Sequence, residues 1–100
     1  MRDGETDSAG KMRVYLLISG RVQGVGFRYF TQKQARALGV AGWVRNRADG
    51  RVEAVMEGAR SAVDKAVAWC RIGPPGGYVS DVAIQEEAPT GEFQDFSIRW

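Results

Sequence analysis

Residues 20–28 read Gly-Arg-Val-Gln-Gly-Val-Gly-Phe-Arg, and they join a predicted strand to a predicted helix. Gly20, Gly24 and Gly26 allow positive φ angles and let a ligand approach the backbone closely. The start of the helix adds free N–H donors and a partial positive charge, and Arg28 adds a planar guanidinium that can hold two oxygens of one phosphate. The loop therefore indicates a binding site for a phosphoryl group.

A simpler interpretation is that the loop is only a tight connection with an exposed arginine beside it. Two better-known phosphate loops do not fit the sequence. Tyr29 stands where the third glycine of a dinucleotide-binding fingerprint belongs, and no Gly-Lys-Ser/Thr follows as in a nucleoside-triphosphate loop. Dinucleotides and nucleoside triphosphates are therefore disfavoured as ligands.

A second informative stretch, residues 42–58, predicts a β-hairpin. Asp49-Gly50 is a strong turn signal between two strand-like runs. Asn46 is unusual in this stretch because asparagine is depleted in strands. It could serve only to help the turn, but beside the loop at residues 20–28 it gains a possible chemical role.

Together the two stretches resemble the signatures of the acylphosphatase family. The resemblance covers residues 12–100, because the last residues also match the Phe-Ser-aliphatic-Arg-aromatic run with which family members typically end. The matching positions are Ile18, then Gly20-x-Val22-Gln23-Gly24-Val25-x-Phe27-Arg28, then Gly42-Trp43-Val44-Arg45-Asn46 with Gly50, Val52 and Gly58, and finally Phe96-Ser97-Ile98-Arg99-Trp100.

The resemblance implies an enzyme that hydrolyses acyl phosphates without a metal or cofactor. Arg28 and the backbone N–H groups of the loop (Gln23, Gly24, Val25 and Gly26) are expected to hold the phosphoryl oxygens. The side-chain amide of Asn46 is expected to position the attacking water. The partners implied are a small-molecule acyl phosphate as substrate and inorganic phosphate as product and competitive inhibitor.

The residue types present agree with that chemistry. The chain has no histidine, which excludes phosphohistidine enzymes, and Gly76 stands where a cysteine-dependent phosphatase would need an arginine after Cys70. No Asp-x-Asp pair is present for an aspartyl-phosphate route with magnesium. An acyl phosphate needs none of these groups, because its carboxylate leaving group has a conjugate-acid pKa of about 4 and departs unprotonated. Stabilised phosphate charge and a water placed in line are sufficient.

Charge is distributed unevenly along the chain, whose net charge is +2. Residues 20–51 contain seven basic side chains and a single acidic one, Asp49. A cationic surface around the loop would attract small phosphorylated substrates. The alternative is an ordinary solvated basic face.

The order of predicted elements is βαββαβ with an extra C-terminal strand. This is an α+β, ferredoxin-like sandwich, an antiparallel sheet with two helices on one face. The second helix is predicted to start with a capping box, Ser61-x-x-Asp64. The predicted elements are a strand at 13–19, a helix at 27–38 ending at Gly39, the hairpin at 42–58, a helix from Ser61 to about Ile72, and strands at 78–85 and 93–100.

Composition suggests one domain at residues 11–100, preceded by a disordered polar tail at residues 1–10. No apolar run reaches transmembrane length and no signal peptide is apparent, which favours a cytoplasmic protein without a membrane partner. The single cysteine, Cys70, is predicted to be a buried inert thiol. A monomer is the default expectation.

Two other functions remain open from the sequence. An RNA-binding module with the same fold would stack bases on aromatic side chains of its central strands, but residues 51–57 contain no aromatic residue and two glutamates. Nucleic acid is therefore not expected as a partner. An acylphosphatase-like regulatory or carbamoyl-phosphate-processing domain, of the type fused within hydrogenase-maturation proteins, is the other alternative.

Overall fold

A computed structural model describes residues 10–100, which form five strands and two helices in one sandwich. The sheet order is β4-β1-β3-β2-β5, in which the first four strands are antiparallel and β5 joins parallel to β2. The ferredoxin-like arrangement with an extra C-terminal strand is confirmed. The predicted tail at residues 1–10 lies, apart from Gly10, outside the described residues. The elements are β1 (Lys11–Arg21), α1 (Phe27–Leu38), β2 (Ala41–Asn46), β3 (Val52–Ala59), α2 (Arg60–Ile72), β4 (Tyr78–Glu87) and β5 (Phe96–Arg99).

The hydrophobic core lies between the sheet and the two helices. Strict alternation along β1 sends every second side chain to the helix face, and full burial of one large apolar side chain stabilises the fold by about 1.5–3 kcal/mol. Burial raises the pKa of the Cys70 thiol to about 12, so Cys70 is an inert core residue. The core residues of these elements are Val14, Leu16 and Ile18 from β1, Phe27 and Ala35 from α1, and Val63, Ala66 and Cys70 from α2.

Thr31 is the one polar residue on the buried face of α1. Its hydroxyl donates to the Phe27 carbonyl at 2.7 Å, so the buried hydroxyl has a hydrogen-bond partner inside the core. Gly39 ends the helix in the left-handed conformation, as the sequence predicts.

The β2–β3 hairpin turns at Asp49-Gly50, as predicted. The Arg47 N–H donates to the Arg51 carbonyl at 2.8 Å, and the Gly50 N–H donates to the Arg47 carbonyl at 3.2 Å. Asn46 is the last residue of β2, two residues after the fully buried Val44. Since side chains two residues apart share a face, Asn46 lies on the helix side of the sheet, at its end.

The predicted capping box at Ser61-x-x-Asp64 is wrong. Pairing of β3 with β1 continues to Ala59, so no loop separates the strand from α2, which begins at Arg60 with Ala59 as its N-cap. Ser61 consequently lies inside the first turn, and no side chain caps the helix.

The last strand is shorter than predicted: it spans Phe96–Arg99, and of the residues before it Asp95 accepts a hydrogen bond from the Gly42 N–H of β2 at 3.0 Å. The Phe93 ring lies against the guanidinium of Arg13, whose central carbon is 5.2 Å from the ring centroid. No peptide bond in residues 10–100 is cis, so the Pro74-Pro75 bond is trans. Neither helix of the described chain has the length and apolar character needed to cross a membrane.

Candidate active site

A cavity of about 180 Å³ lies where residues 22–26, the start of α1 and the end of β2 meet. Gly24, Gly26, Arg28 and Asn46 all line it. The loop and the hairpin are distant in sequence, but β1 and β2 both pair with β3 and end at the same edge of the sheet. The fold therefore joins the two sequence signatures in one cavity.

Two glycines of the loop adopt the left-handed conformation that the sequence predicts. Gly24 has φ 77° and Gly26, the N-cap of α1, has φ 78°. No side chain caps this helix, and its first turn contains no acidic residue. Within residues 10–100, the backbone N–H groups of residues 24–28 donate to no protein acceptor. The cavity is therefore bordered by hydrogen-bond donors that an anion could use.

Arg28 supplies a positive charge at the same place. Its guanidinium lies 4.1 Å from the centroid of the Trp100 ring, and one N–H reaches the Arg99 carbonyl at 3.5 Å. No carboxylate in the described chain forms a salt bridge with it. Because guanidinium has five N–H donors, most of them remain for a ligand.

The other arginines close to the hairpin are mostly neutralised by carboxylates. Asp49 pairs with Arg51 at 2.7 Å and with Arg47 at 3.1 Å, and Arg45 pairs with Glu53. Hydrogen bonds from Arg51 hold the pKa of the Asp49 carboxyl well below its usual range. The cationic surface expected from residues 20–51 is thus weaker than the sequence count suggests, and Arg28 stands out within it.

Glu53 is a nearly buried carboxylate on the sheet face opposite the helices. Burial raises its pKa, but hydrogen bonds from Tyr15 and Arg45, with charge from Arg47, more than offset this and leave the pKa lowered. The hydroxyl of Tyr15 donates to the Glu53 carboxylate, and a guanidinium nitrogen of Arg47 lies 3.6 Å from a Glu53 carboxylate oxygen. Glu53 therefore fixes Arg45 and Arg47 of the hairpin on the sheet face opposite the helices.

The side chain of Gln23 connects the loop to the hairpin. Its amide nitrogen donates to the Arg47 carbonyl at 2.8 Å and to the Arg51 carbonyl at 3.0 Å. Val25 packs against the hydrophobic core. Among the four loop residues predicted to bind phosphate, Gly24 and Gly26 border the cavity directly.

The family comparison agrees with this geometry. The acylphosphatase family model matches residues 14–98. The chain belongs to the acylphosphatase family. A curated acylphosphatase from Roseiflexus sp. is 57% identical over 88% of this chain and 95% of its own length. One from Trichormus variabilis is 55% identical over 86% of this chain and 85% of its own length.

Solved structures extend the comparison to the fold. The acylphosphatase from Bacillus subtilis matches with a TM-score of 0.86 and 40% identity, over 89% of this chain and 99% of that one. A full-length HypF structure matches with a TM-score of 0.80 and 26% identity, over 90% of this chain but only 12% of that one. The chain thus spans nearly the whole length of the Bacillus subtilis acylphosphatase but only a small part of that HypF structure.

Some residues that line the cavity were not assigned a role from the sequence. Trp100, Tyr29 and Ile98 also line the cavity. The aromatic end of the family signature was a signal for Trp100, but nothing local indicates that its ring lies against Arg28. The two hydrogen bonds from Gln23 to backbone carbonyls could likewise not be predicted from the sequence, because they join residues more than twenty positions apart.

Proposed function

We propose that this acylphosphatase hydrolyses small acyl phosphates in the cavity between residues 22–26 and the end of β2. The observation that supports the proposal most is the meeting of Arg28 and Asn46 at one cavity bordered by unused backbone donors. Arg28 binds and neutralises the phosphoryl group, and Asn46 positions the water. The products are a carboxylate and inorganic phosphate.

Charge stabilisation is the first task of the site. Phosphoryl transfer spreads negative charge over three equatorial oxygens, and fixed donors aimed at them lower the barrier without reorganising. The Arg28 fork and the N–H groups of residues 24–28 supply such donors. The partial charge at the start of α1 has the same sign.

Water positioning is the second task, and Asn46 is suited to it. Within residues 10–100, its side chain makes no hydrogen bond to protein and borders the cavity. The amide oxygen can accept from water while the NH₂ group donates to a phosphoryl oxygen. Water held in this way attacks phosphorus in line with the departing carboxylate, which needs no proton from the enzyme.

Hydrolysis of benzoyl, acetyl and carbamoyl phosphate, each with and without EDTA, tests the proposal. We expect turnover of acyl phosphates that the chelator does not change, and no turnover of a phosphate monoester such as p-nitrophenyl phosphate. Loss of activity in EDTA, or equal turnover of the monoester, would contradict the mechanism.

Inorganic phosphate and sulfate present the same oxygens to the same donors, so both should inhibit competitively. Raising the ionic strength should weaken inhibition by screening charge around Arg28. Kinetics that ignore millimolar phosphate would remove the loop from the substrate site.

The oligomeric state and location of the enzyme stay predictions from the sequence. We propose a monomer, and light scattering after size exclusion would measure its mass directly. We also propose a cytoplasmic location, which cell fractionation would test.

A further inference from the structure

The amide of Gln23 joins the loop to both arms of the hairpin turn. Its two N–H groups donate to the carbonyls of Arg47 and Arg51, the residues that flank the turn and are hydrogen bonded to each other. Because both partners are acceptors, the NH₂ group must face them, and the orientation of the amide is fixed. The side chain is thereby fully used as a donor and has no N–H left for a phosphoryl oxygen.

This contact lies between the two halves of the proposed site. Arg47 immediately follows Asn46, so a bond to its carbonyl holds the backbone directly beside the water-positioning amide. Gln23 itself immediately precedes the left-handed Gly24, at the start of the donor loop. A displacement of about 1 Å between reacting groups can cost on the order of 10² in rate.

We propose that the Gln23 side chain is a positioning residue that sets the distance between the phosphate-binding loop and Asn46. This inference rests on the proposed roles of Arg28 and Asn46. The Gln23 side chain acts through the hairpin and not on the phosphoryl group, although its backbone remains part of the loop. Its contribution therefore depends on Asn46 being present.

A double-mutant cycle tests that dependence. Gln23→Met keeps the length of the side chain and removes both donors. We expect it to lower kcat for benzoyl phosphate by about 10²-fold in the wild-type background. In the Asn46→Ala background, the same change should lower kcat less than about threefold, because no positioned water remains to be misplaced. The inhibition constant of inorganic phosphate should stay within about twofold in all four proteins.

Gln32→Met is the matched control. Gln32 also donates its side-chain amide to a carbonyl, that of Phe96 at 3.0 Å, but this bond joins α1 to β5 and not to the hairpin. Both methionine variants should lower Tm, and only Gln23→Met should lower kcat. If Gln23→Met does not fold, Gln23→Asn replaces it in the cycle and should show a smaller loss that also disappears without Asn46.

Three results would overturn the inference. One is a loss of kcat in Gln23→Met that is equally large with and without Asn46. Another is a weakening of phosphate inhibition that matches the loss of kcat/KM, which would make the side chain a phosphate ligand. The third is an unchanged kcat with a lowered Tm, which would leave it a purely structural contact. Failure of the proposed function itself is distinguishable, because Asn46→Ala alone would then leave kcat unchanged.

Discussion

The two helices begin in similar ways, but only α1 begins beside the candidate site. Neither has a side-chain cap or an acidic residue in its first turn, and each has an arginine there, Arg28 in α1 and Arg60 in α2. In α1, the glycine loop separates strand from helix and leaves backbone donors facing a cavity. In α2, β3 leads directly into the helix through Ala59, in an ordinary extended conformation.

The arginines differ in what they contact. Arg60 pairs with Glu86 at 3.3 Å, whereas Arg28 pairs with no carboxylate in the described chain and lies against an aromatic ring. Both helices thus begin with an arginine and without an acidic residue, but we propose an anion site only at α1. The left-handed glycines, an arginine without a carboxylate partner and a facing asparagine make the difference.

The largest expected effect comes from changing Arg28, the arginine at the start of α1, to lysine. Lysine keeps the charge but loses the planar fork, so Arg28→Lys should lower kcat/KM by on the order of 10³ without unfolding the protein. Arg60→Lys is the matched control and should leave kcat/KM unchanged. Steady-state hydrolysis of benzoyl phosphate, with circular dichroism to check folding, measures both. Near-normal turnover in a folded Arg28→Lys protein would remove Arg28 from the mechanism.

Asn46→Ala should have the next largest effect, a fall in kcat of about 10² to 10³. Affinity for inorganic phosphate should change little, because Arg28 and the loop N–H groups supply most of the donors to phosphate and Asn46 acts chiefly on the water. An interaction made only as the water attacks lowers kcat and kcat/KM equally. Gln85→Ala, which removes an exposed amide from β4, is the control and should have no effect. A lowered Tm with normal kinetics in Asn46→Ala would show that Asn46 is only a turn residue.

Stability in acid should depend on Glu53 and Glu57, the two carboxylates of β3, which both lie on the sheet face opposite the helices. Both have lowered pKa values, because bonds to their ionised forms outweigh the opposing effect of burial. Their stabilisation is therefore present above the unfolded pKa of about 4.5 and is lost as the pH falls through the lowered value. Glu53→Gln and Glu57→Gln should each lower Tm at pH 7, by a deficit that narrows toward pH 3.

Activity at neutral pH is expected to be independent of Glu57. Glu57 accepts from Arg13 and from the N–H groups of Thr90 and Gly91, far from the cavity, so Glu57→Gln should leave kcat/KM unchanged. A Tm deficit that stays constant or grows as the pH falls would contradict the pKa directions.

Trp100→Ala should have the smallest effect. Its ring lies against the Arg28 guanidinium, and an exposed contact of this kind contributes about 0.5–1 kcal/mol, which corresponds to roughly two- to fivefold in KM. Trp43→Ala removes a ring that contacts Arg99 and Arg45 on the other face of the sheet and is the control for KM. An unchanged KM in Trp100→Ala would show that the ring does not hold Arg28.

The sequence predicted the parts of this molecule that depend on local pattern. The sequence predicted a strand at residues 13–19, where β1 lies, and Gly39 marked the end of α1, because these signals act within a few residues. Arg28 and Asn46 were found through two long signatures, and both line the same cavity. Their chemical roles stay predictions.

What the sequence could not predict depends on distant partners. Ser61 and Asp64 have the spacing of a capping box, but pairing with β1 extends β3 to Ala59 and places Ser61 inside the helix. Thr31 belongs to the core although it is polar, because its hydroxyl is satisfied by the preceding turn. The contacts of Gln23 with the hairpin likewise exist only once the strands have paired.

Amide chemical shifts during titration with inorganic phosphate test the central claim most directly. The account predicts saturable shifts at the backbone amides of residues 24–30 and at the side-chain amide of Asn46, the one asparagine of the chain. Residues 60–64, at the start of α2, should not shift. Shifts at residues 60–64 of equal size, or none at residues 24–30, would contradict the assignment of the anion site to α1.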